Sequence, residues 1–311
     1  MVILINARAC GGKAMRKWRA IKGEVAARLG GYKIYFARDL GLAGKYIAWD
    51  LSKGERQFIA AGGDGTFNFL LNSIIETADE QTLSEVTLGA IGLGSSNDFH
   101  KPFDRTTMIK GTPCRIDFGS SSERDVGVLR YVDSSGTEVV RHWIINASLG
   151  VTAEANSFFN DPDRFLSFCK RYSTGMAIAY AALKTMARFR AMPMTLSADC
   201  REPAQLQIEN LGIVKSPHFS GHFHYDSPID YASGRFHVHL IDQRSAASKL
   251  LTLSRLAHGK MSRRDSEMSL EAHRINVKSE KPFAVEFDGE VVTTKSASFT
   301  LRPRMIRVCS C

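Results

Sequence analysis

Long hydrophobic runs, paired cysteine motifs and low-complexity linkers are missing from this 311-residue sequence. No apolar run approaches the roughly 20 residues of a membrane-spanning helix, and the apolar residues 2–5 are too few for a signal peptide. The six cysteines include no Cys-x-x-Cys pair, so neither a zinc site nor a disulfide framework is indicated. We therefore expect a cytoplasmic protein, and its length allows two domains with sizeable cores.

Acidic residues are scarce in two parts of a chain whose net charge is +9. Residues 1–53 contain eleven Lys and Arg against three acids, and residues 164–190 contain six basic residues and no acid. Such surfaces attract nucleotides, anionic membranes or nucleic acid. Because neither a nucleic-acid-binding motif nor aromatic–basic interleaving accompanies the charge, no nucleic-acid partner is predicted.

A glycine-rich turn is the most informative stretch. The apolar run 58–61 ends in Gly62-Gly63-Asp64-Gly65-Thr66, and apolar residues at helical spacing follow, namely Phe67, Leu70, Leu71, Ile74 and Ile75. A strand, a tight turn and a helix N-terminus suit phosphate, because free N–H groups and the helix dipole favour an anion there. Asp64 would repel phosphate unless it held a metal ion or a phosphate-bound water, or accepted a proton. The alternative is an ordinary turn in which Asp64 or Thr66 caps the helix.

Strand and helix patterns alternate through the first third of the chain. Strands are predicted at 2–5, 32–37, 58–61 and 86–91, with helices between them. This order predicts a parallel, doubly wound α/β sheet that binds its ligand at the carboxyl ends of the strands. Three loops should therefore meet at one edge of the sheet: 6–12, 62–66 and 92–99.

The second half reads mainly as antiparallel β-structure, and we expect a β-sandwich. Helices are expected near 160–190 and 245–258. Strand-like runs rich in β-branched and aromatic residues lie at 125–132, 138–147, 194–199, 205–214, 219–225 and 235–241.

Several motifs together resemble the diacylglycerol kinase catalytic-domain family, which is related to sphingosine kinases and NAD kinases. They occur in the family's order from residue 2 to about residue 308: the opening loop 6–12 with Ala7 in place of proline, the turn 62–66, Gly94-Ser95-Ser96-Asn97-Asp98-Phe99 with Ser95 in place of threonine, Asn146-Ala147-Ser148-Leu149-Gly150, and Asp288-Gly289-Glu290. Two departures remove acidic residues, since Phe69 stands where the family usually has glutamate and Ser233 where it usually has aspartate.

The resemblance implies a lipid kinase that uses ATP and Mg²⁺ to phosphorylate a lipid alcohol such as diacylglycerol. It implies a nucleotide-binding domain at 1–117, completed by the returning segment 296–311, and a β-sandwich substrate domain at 118–295. The implied nucleotide-binding residues are Asn6, Arg8, Gly62, Gly63, Asp64, Gly65, Thr66, Asn68, Gly94, Ser95, Asn97 and Asp98.

The same resemblance makes Asp288 the expected general base, with Glu290 orienting it or the metal, and Asp64 the alternative base. On sequence alone, residues 288–290 would otherwise be a tight turn between exposed strands. We expect Asp288→Ala to abolish turnover while leaving folding intact.

Family members often carry a structural Mg²⁺ beside an Asp-Gly turn, which 229–236 matches in this sequence. Because Ser233 replaces the usual aspartate, Asp226 or Asp230 would have to supply the ligands. Four histidines nearby share sheet faces rather than a metal-ligand pattern, and a zinc role is not expected for them. They are His222, His224, His237 and His239.

A soluble lipid kinase must also meet the membrane. The aromatic and basic stretch 165–192 and the basic segment 249–264 are the candidates for a transient contact with an anionic membrane surface, although the stretch 165–192 is more typical of a core helix with a solvated basic face. A homodimer is left open. NAD kinase activity and a catalytically silent nucleotide or lipid sensor are the alternative functions.

Overall fold

The computed structural model describes residues 1–38, 40–221, 223–228, 230–242, 245–259 and 267–310. These residues form two compact units. The first unit contains residues 1–125 and 304–311, and the second contains residues 126–303.

Helices and strands alternate at the start of the chain, and strands predominate later. In chain order, the helices are α1 Ala14–Leu29, α2 Leu40–Ser52, α3 Asp64–Ile75, α4 Glu80–Glu85, α5 Val151–Asn160, α6 Arg164–Tyr172, α7 Thr174–Arg188 and α8 Ala246–Ala257. The strands are β1 Val2–Ile5, β2 Lys33–Phe36, β3 Gln57–Gly62, β4 Thr87–Gly92, β5 Met108–Ile109, β6 Thr112–Arg115, β7 Asp117–Val132, β8 Glu138–Trp143, β9 Asn146–Gly150, β10 Met192–Ala198, β11 Ala204–Val214, β12 His218–Phe219, β13 Phe223–His224, β14 Phe236–Asp242, β15 Glu267–Ala272, β16 Arg274–Phe287 and β17 Glu290–Ser310.

The first unit contains the predicted parallel sheet, in the order β2-β1-β3-β4. Beyond β4, strand β6 pairs antiparallel at Ala90 and Ile91, while the end of β17 pairs parallel through Arg307 and Val308. Because β1, β3 and β4 run in the same direction, their carboxyl ends lie at one edge of the sheet.

The apolar core of the first unit follows from the spacing of apolar residues in its strands and in helix α1. Strands β1 and β3 are apolar at nearly every position, as expected for strands covered on both faces. Helix α1 buries Trp18, Ile21 and Val25 on one side, at the spacing that predicted the helix. Alternate strand residues such as Ile3, Ile59 and Ile91 pack with this face in one cluster.

The second unit is the predicted antiparallel β-sandwich. Its main path is β15-β14-β11-β10-β16-β17, and β9 pairs with both β11 and β16. The side chains of these strands form one apolar cluster, which includes Trp143, Leu149, Leu211, Phe236 and Phe299. Among the described helices of both units, none is both long enough and apolar enough to cross a bilayer.

Two strand predictions in the second unit were wrong. The run 138–147 is not one strand, because the backbone N–H groups of Ile144 and Ile145 donate to the carboxylate of Asp288 instead of a ladder partner. The run 219–225 forms only the two-residue strands β12 and β13. Helix α5 and the long strand β16 were missed by the sequence patterns.

Candidate functional site

The three loops predicted to share one edge of the first unit's sheet are joined by hydrogen bonds. The N–H of Asn6 donates to Ala61 O at 3.0 Å, and the N–H of Gly94 donates to Gly62 O at 2.9 Å. The side-chain amide of Asn6 also donates to Thr66 Oγ1 at 3.1 Å. The structure therefore brings together the parts of the candidate nucleotide site that this unit contributes.

Glycine is required where the second and third loops meet. A Cβ on Gly94 would lie 2.4 Å from the Cα of Gly63, and a Cβ on Gly63 would lie 3.3 Å from the Cα of Gly94. These distances leave no room for a side chain on Gly94. The two backbones can approach this closely only because residue 94 is glycine, and a side chain at residue 63 would also be tight.

Helix α3 begins directly after this contact. Its N-cap residue is Gly63, which has no side chain to cap the helix, and Asp64 is its first residue. The first N–H groups of a helix have no partner within the helix, and the dipole makes this end a favourable position for an anion. The loop pair and the helix end, called the cradle below, therefore form a favourable position for an anion.

Asp64 holds the second and third loops together. Its carboxylate accepts hydrogen bonds from the N–H of Asp98 at 3.1 Å and from the N–H of Phe99 at 3.0 Å. The negative charge also lies in the first turn of α3, where the helix dipole stabilises it. Whatever else it does, this aspartate fixes the third loop against the helix.

Other predicted residues of the third loop stabilise its shape. Asn97 adopts a left-handed backbone with φ of 53°, and its side chain accepts from Gly94 N–H at 3.0 Å and donates to Gly92 O at 3.2 Å. Asp98 is buried and forms an ion pair with buried Lys101. Ser95 is exposed at the tip.

The remaining predicted residues of the first unit differ in accessibility. Asn68 is buried, and its side-chain oxygen accepts from Asn72 Nδ2 at 3.1 Å, so it supports α3 from within. Arg8 is exposed, and its backbone N–H donates to Asn6 Oδ1 at 3.0 Å.

Sequence reasoning missed Lys17. This residue of α1 donates from Nζ to the carbonyl of Gly94 at 3.1 Å, which places a positive charge at the glycine contact. The clustering of basic residues in 1–53 was a signal of anion binding, but it did not distinguish Lys17 from its neighbours.

His100 lines a narrow cavity beneath the same loops, together with Gly62, Asp64 and Asn97. Burial, with a smaller contribution from Arg115, lowers the pKa of His100 to about 3. The imidazole is therefore neutral near pH 7 and adds no charge to the cradle.

Asp288 lies in the second unit and is 2% exposed. Its carboxylate accepts from the backbone N–H groups of Ile144 at 2.8 Å, Ile145 at 2.9 Å and Asn146 at 3.2 Å. The residue has a left-handed backbone with φ of 48°, followed by Gly289 at 92°. The chain therefore breaks between β8 and β9 where its backbone N–H groups donate to the carboxylate of Asp288 and not to a neighbouring strand.

Two glutamates flank this turn in different ways. Glu286 is buried, and it accepts from Ser148 Oγ and Gly289 N–H, both at 2.8 Å. Glu290 is exposed at the start of β17. The side chain of Asn146 donates to the carbonyl of His218 at 3.1 Å, so the segment 144–148 is held at several points.

The predicted metal ligands do not form a cluster. Asp226 and Asp230 are both exposed, and Asp230 accepts from the N–H of Ala232 at 3.0 Å within its own turn. Within the described ranges, no three His, Cys, Asp or Glu residues come together as a metal site. At the position of the implied Mg²⁺, Ser233 instead receives a hydrogen bond from the ammonium of Lys215 at 3.1 Å.

Among the described histidines near this turn, His239 is held by neighbouring side chains. His239 stacks on Tyr225 with ring centroids 4.1 Å apart, and its two ring nitrogens contact Ser227 and Ser269. Burial lowers the pKa of His239 to about 4. His222 lies outside the described residues.

Comparison with known proteins supports the fold and the family. A diacylglycerol kinase catalytic domain matches residues 1–128, and a YegS C-terminal NAD kinase beta sandwich-like domain matches residues 146–310. A diacylglycerol kinase from Staphylococcus saprophyticus is 34% identical over 98 residues, which are 29% of this chain and 30% of that protein. The matched region thus spans about a third of that relative's length.

Solved structures show the same two-domain fold. Two putative diacylglycerol kinases from Bacillus anthracis align over 100% of this chain and 96% of their own, with TM-scores of 0.72 and 0.70 at 16% and 18% identity. The chain belongs to the diacylglycerol kinase catalytic-domain family. Its second unit is the β-sandwich domain of the YegS type.

Proposed function

We propose that this protein is an ATP-dependent, Mg²⁺-requiring kinase that transfers the γ-phosphate to the hydroxyl of a lipid alcohol such as diacylglycerol. The observation that carries the proposal is the contact between Gly63 and Gly94 beside the N-terminus of α3, within a chain of this family. The names of its relatives support the lipid acceptor.

The first unit would hold the nucleotide phosphates. Backbone N–H groups at the start of α3 and the ammonium of Lys17 supply donors and positive charge at one place. Bound Mg²⁺ would neutralise charge on the phosphates, and Asp64 is the carboxylate that the loops contribute toward it. The work of these residues is positioning and electrostatic stabilisation, which phosphoryl transfer chiefly requires.

We propose Asp288 as the group that accepts the proton of the attacking hydroxyl. Three backbone N–H groups donate to its carboxylate and fix its position. Little activation of the nucleophile is needed where the transition state is loose. Asp64 stays the alternative, and Glu290 the residue proposed to orient the base or the metal.

The direct test is transfer of labelled phosphate from ATP to a panel containing diacylglycerol, other lipid alcohols and NAD. Transfer to a lipid is expected, with Mg²⁺ required. Transfer to NAD alone would make the protein an NAD kinase. Nucleotide binding by folded protein without transfer to any acceptor would make it a silent sensor, the function suggested by Phe69 and Ser233.

Lys17→Met should weaken ATP binding about tenfold, because it removes one partly exposed charge from the phosphate cradle. Isothermal titration with a non-hydrolysable ATP analogue would measure the effect. Lys22→Met is the matched control, since Lys22 is an exposed lysine of the same helix. Equal weakening by both variants would show general charge attraction and contradict a specific role for Lys17.

We also propose that α6 and α7 contact an anionic membrane. The aromatic face of α6, defined as Phe165, Phe168 and Tyr172, is 55%, 51% and 72% exposed. On α7, Met176 and Leu183 are 54% and 47% exposed. An exposed apolar surface of this kind usually marks an interaction site.

Charge favours a membrane as the partner of this surface. Arg164, Arg171, Arg188 and Arg190 are exposed along or beside the two helices. Asp163, the N-cap residue of α6, forms an ion pair with Lys184. The other acidic residue next to the start of α6, Asp161, is exposed. Aromatic side chains among arginines suit an interface of acyl chains and anionic headgroups. The other candidate segment is 249–264. Its Lys249 forms an ion pair from Nζ to Oε1 of buried Glu209 at 2.6 Å. Residues 260–264 of this segment lie outside the described residues.

Replacing the aromatic face of α6 by serine (F165S, F168S and Y172S) should lower vesicle binding about tenfold. Cosedimentation with phosphatidylcholine vesicles, with and without phosphatidylglycerol, would measure it, and binding should require the anionic lipid. The control is Trp49→Ser, which removes an aromatic residue of α2 that is 59% exposed. Unchanged vesicle binding would contradict the membrane role. A change only in oligomeric state would contradict it as well and would favour a second copy of the chain as the partner of this surface.

A further inference from the structure

A buried lysine directly follows strand β11. Lys215 is 4% exposed, and its ammonium donates to the carbonyl of Arg235 at 2.7 Å and to Ser233 Oγ at 3.1 Å. A buried ammonium is costly unless oxygen atoms accept its hydrogen bonds. Both acceptors come from the turn that precedes β14.

The turn is organised around these contacts. Ser233 Oγ donates to the carbonyl of Arg235 at 3.1 Å and accepts from the N–H of Arg235 at 3.2 Å. Gly234 between them has φ of 70°, a conformation that glycine adopts without strain. The hydroxyl, the carbonyl and the ammonium therefore form one hydrogen-bonded group.

A divalent cation does not fit this group. Mg²⁺ and Ca²⁺ need several oxygen ligands, with carboxylates to balance their charge, and Ser233 contributes a neutral hydroxyl where a family aspartate would contribute a charge. The Lys215 ammonium contacts the same two oxygen atoms and would repel a second cation. The structural Mg²⁺ implied by the family resemblance is thus at odds with the residues present.

We propose that the ammonium of Lys215 replaces the structural divalent cation of this turn. The lysine supplies a positive charge and hydrogen-bond donors that are covalently attached, so the turn and strand β14 form without metal. This proposal concerns the second unit alone and holds whether or not the chain is a kinase.

Lys215 is also connected to Asp288, the candidate catalytic carboxylate. The backbone N–H of Lys215 donates to the carbonyl of Ile145 at 3.0 Å, and the N–H of Ile145 donates to Asp288 Oδ1 at 2.9 Å. The residue that carries the built-in cation is therefore hydrogen-bonded, through its backbone, to the segment that holds Asp288. In this chain, that support does not depend on the concentration of free Mg²⁺.

Thermal unfolding of the nucleotide-free protein tests the proposal. The melting temperature of the wild type should be the same in EDTA, Mg²⁺ or Ca²⁺, and Lys215→Met should lower it by about 5–10 °C. Lys278→Met is the control, because Lys278 is exposed on a strand of the same unit. A wild type that loses several degrees in EDTA, or a Lys215→Met variant that melts like the control, would overturn the proposal.

A designed exchange gives an independent test. The double variant Lys215→Ala, Ser233→Asp restores a carboxylate and removes the competing ammonium, so Ca²⁺ should raise its melting temperature by several degrees. Lys215→Ala alone should show no response to Ca²⁺. Ser233→Asp alone should form an ion pair with Lys215 and melt higher than the wild type without any metal response. A double variant that ignores Ca²⁺ would count against the equivalence of ammonium and cation.

Discussion

Gly94→Ala is expected to lower phosphate transfer by about 100-fold or more, because an ångström-scale displacement of reacting groups has an effect of that order. The new Cβ would lie 2.4 Å from the Cα of Gly63 and 2.9 Å from Asn97 Oδ1, and a backbone atom cannot move aside like a flexible side chain. The contact between the second and third loops must open. The hydrogen bond from Gly94 N–H to Gly62 O would be lost with it.

Labelled-phosphate transfer and titration with an ATP analogue would measure this effect, with the melting temperature recorded beside them. Overpacking should cost about 1–3 kcal/mol of stability, which leaves a folded protein to assay. Gly23→Ala is the matched control, since a Cβ there meets nothing within 4 Å on helix α1. If Gly94→Ala binds and transfers like Gly23→Ala, the cradle is not where the phosphates bind.

Asp288→Ala is expected to destabilise the second unit by about 3–5 kcal/mol. The substitution leaves three backbone N–H groups near residues 144–146 without their acceptor. It also places alanine at a φ of 48°, which adds about 1 kcal/mol of strain. We therefore expect a loss of stability instead of the intact folding predicted from the sequence, and a loss of activity in this variant would not by itself identify a base.

Denaturant unfolding separates the two roles of Asp288. Asp288→Asn keeps one acceptor oxygen and tolerates the left-handed backbone, so it should fold better than the alanine variant while losing about 100-fold or more in kcat. Asp133→Ala is the control for removing a turn carboxylate, because Asp133 accepts from Ser135 and Thr137 N–H groups at an exposed turn. If Asp288→Asn retains wild-type kcat, the proton acceptor is another group, and Asp64→Asn becomes the variant to measure.

The sheet of the first unit could be predicted because local patterns determine it. Apolar strands alternating with amphipathic helices require a parallel sheet, and parallel strands place their following loops at one edge. That the loops containing Gly62 and Gly94 lie at the same edge follows from that rule, whereas the contact between them is known only from the structure.

The roles of the aspartates could not be predicted in the same way. Asp64 and Asp288 both accept hydrogen bonds from backbone N–H groups, which every non-proline residue carries, so the sequence contains no sign of the partners. Their motifs indicated chemistry, whereas the structure shows that each also fixes a loop.

The roles of two lysines could not be predicted from the sequence for a related reason. Lys17 and Lys215 look like ordinary surface charges in the sequence, and only the packing of α1 and β11 directs their ammonium groups to backbone carbonyls. The exposed aromatic face of α6 was easier to anticipate, since its helical spacing and the absence of acids are visible in the sequence.

Strand β17 has a consequence for the order in which the protein is made. Arg307 and Val308 pair with Thr87 and Leu88 of β4, so the first unit lacks one of its strands until on the order of 200 further residues have been synthesised. At typical translation rates this wait lasts roughly 10–40 seconds. During that time part of one side of β4 presents unpaired N–H and C=O groups, a known hazard for aggregation of nascent chains. Nascent chains of this protein should therefore need chaperone protection for a longer time than nascent chains of a domain of the same size that is formed by one continuous stretch of sequence.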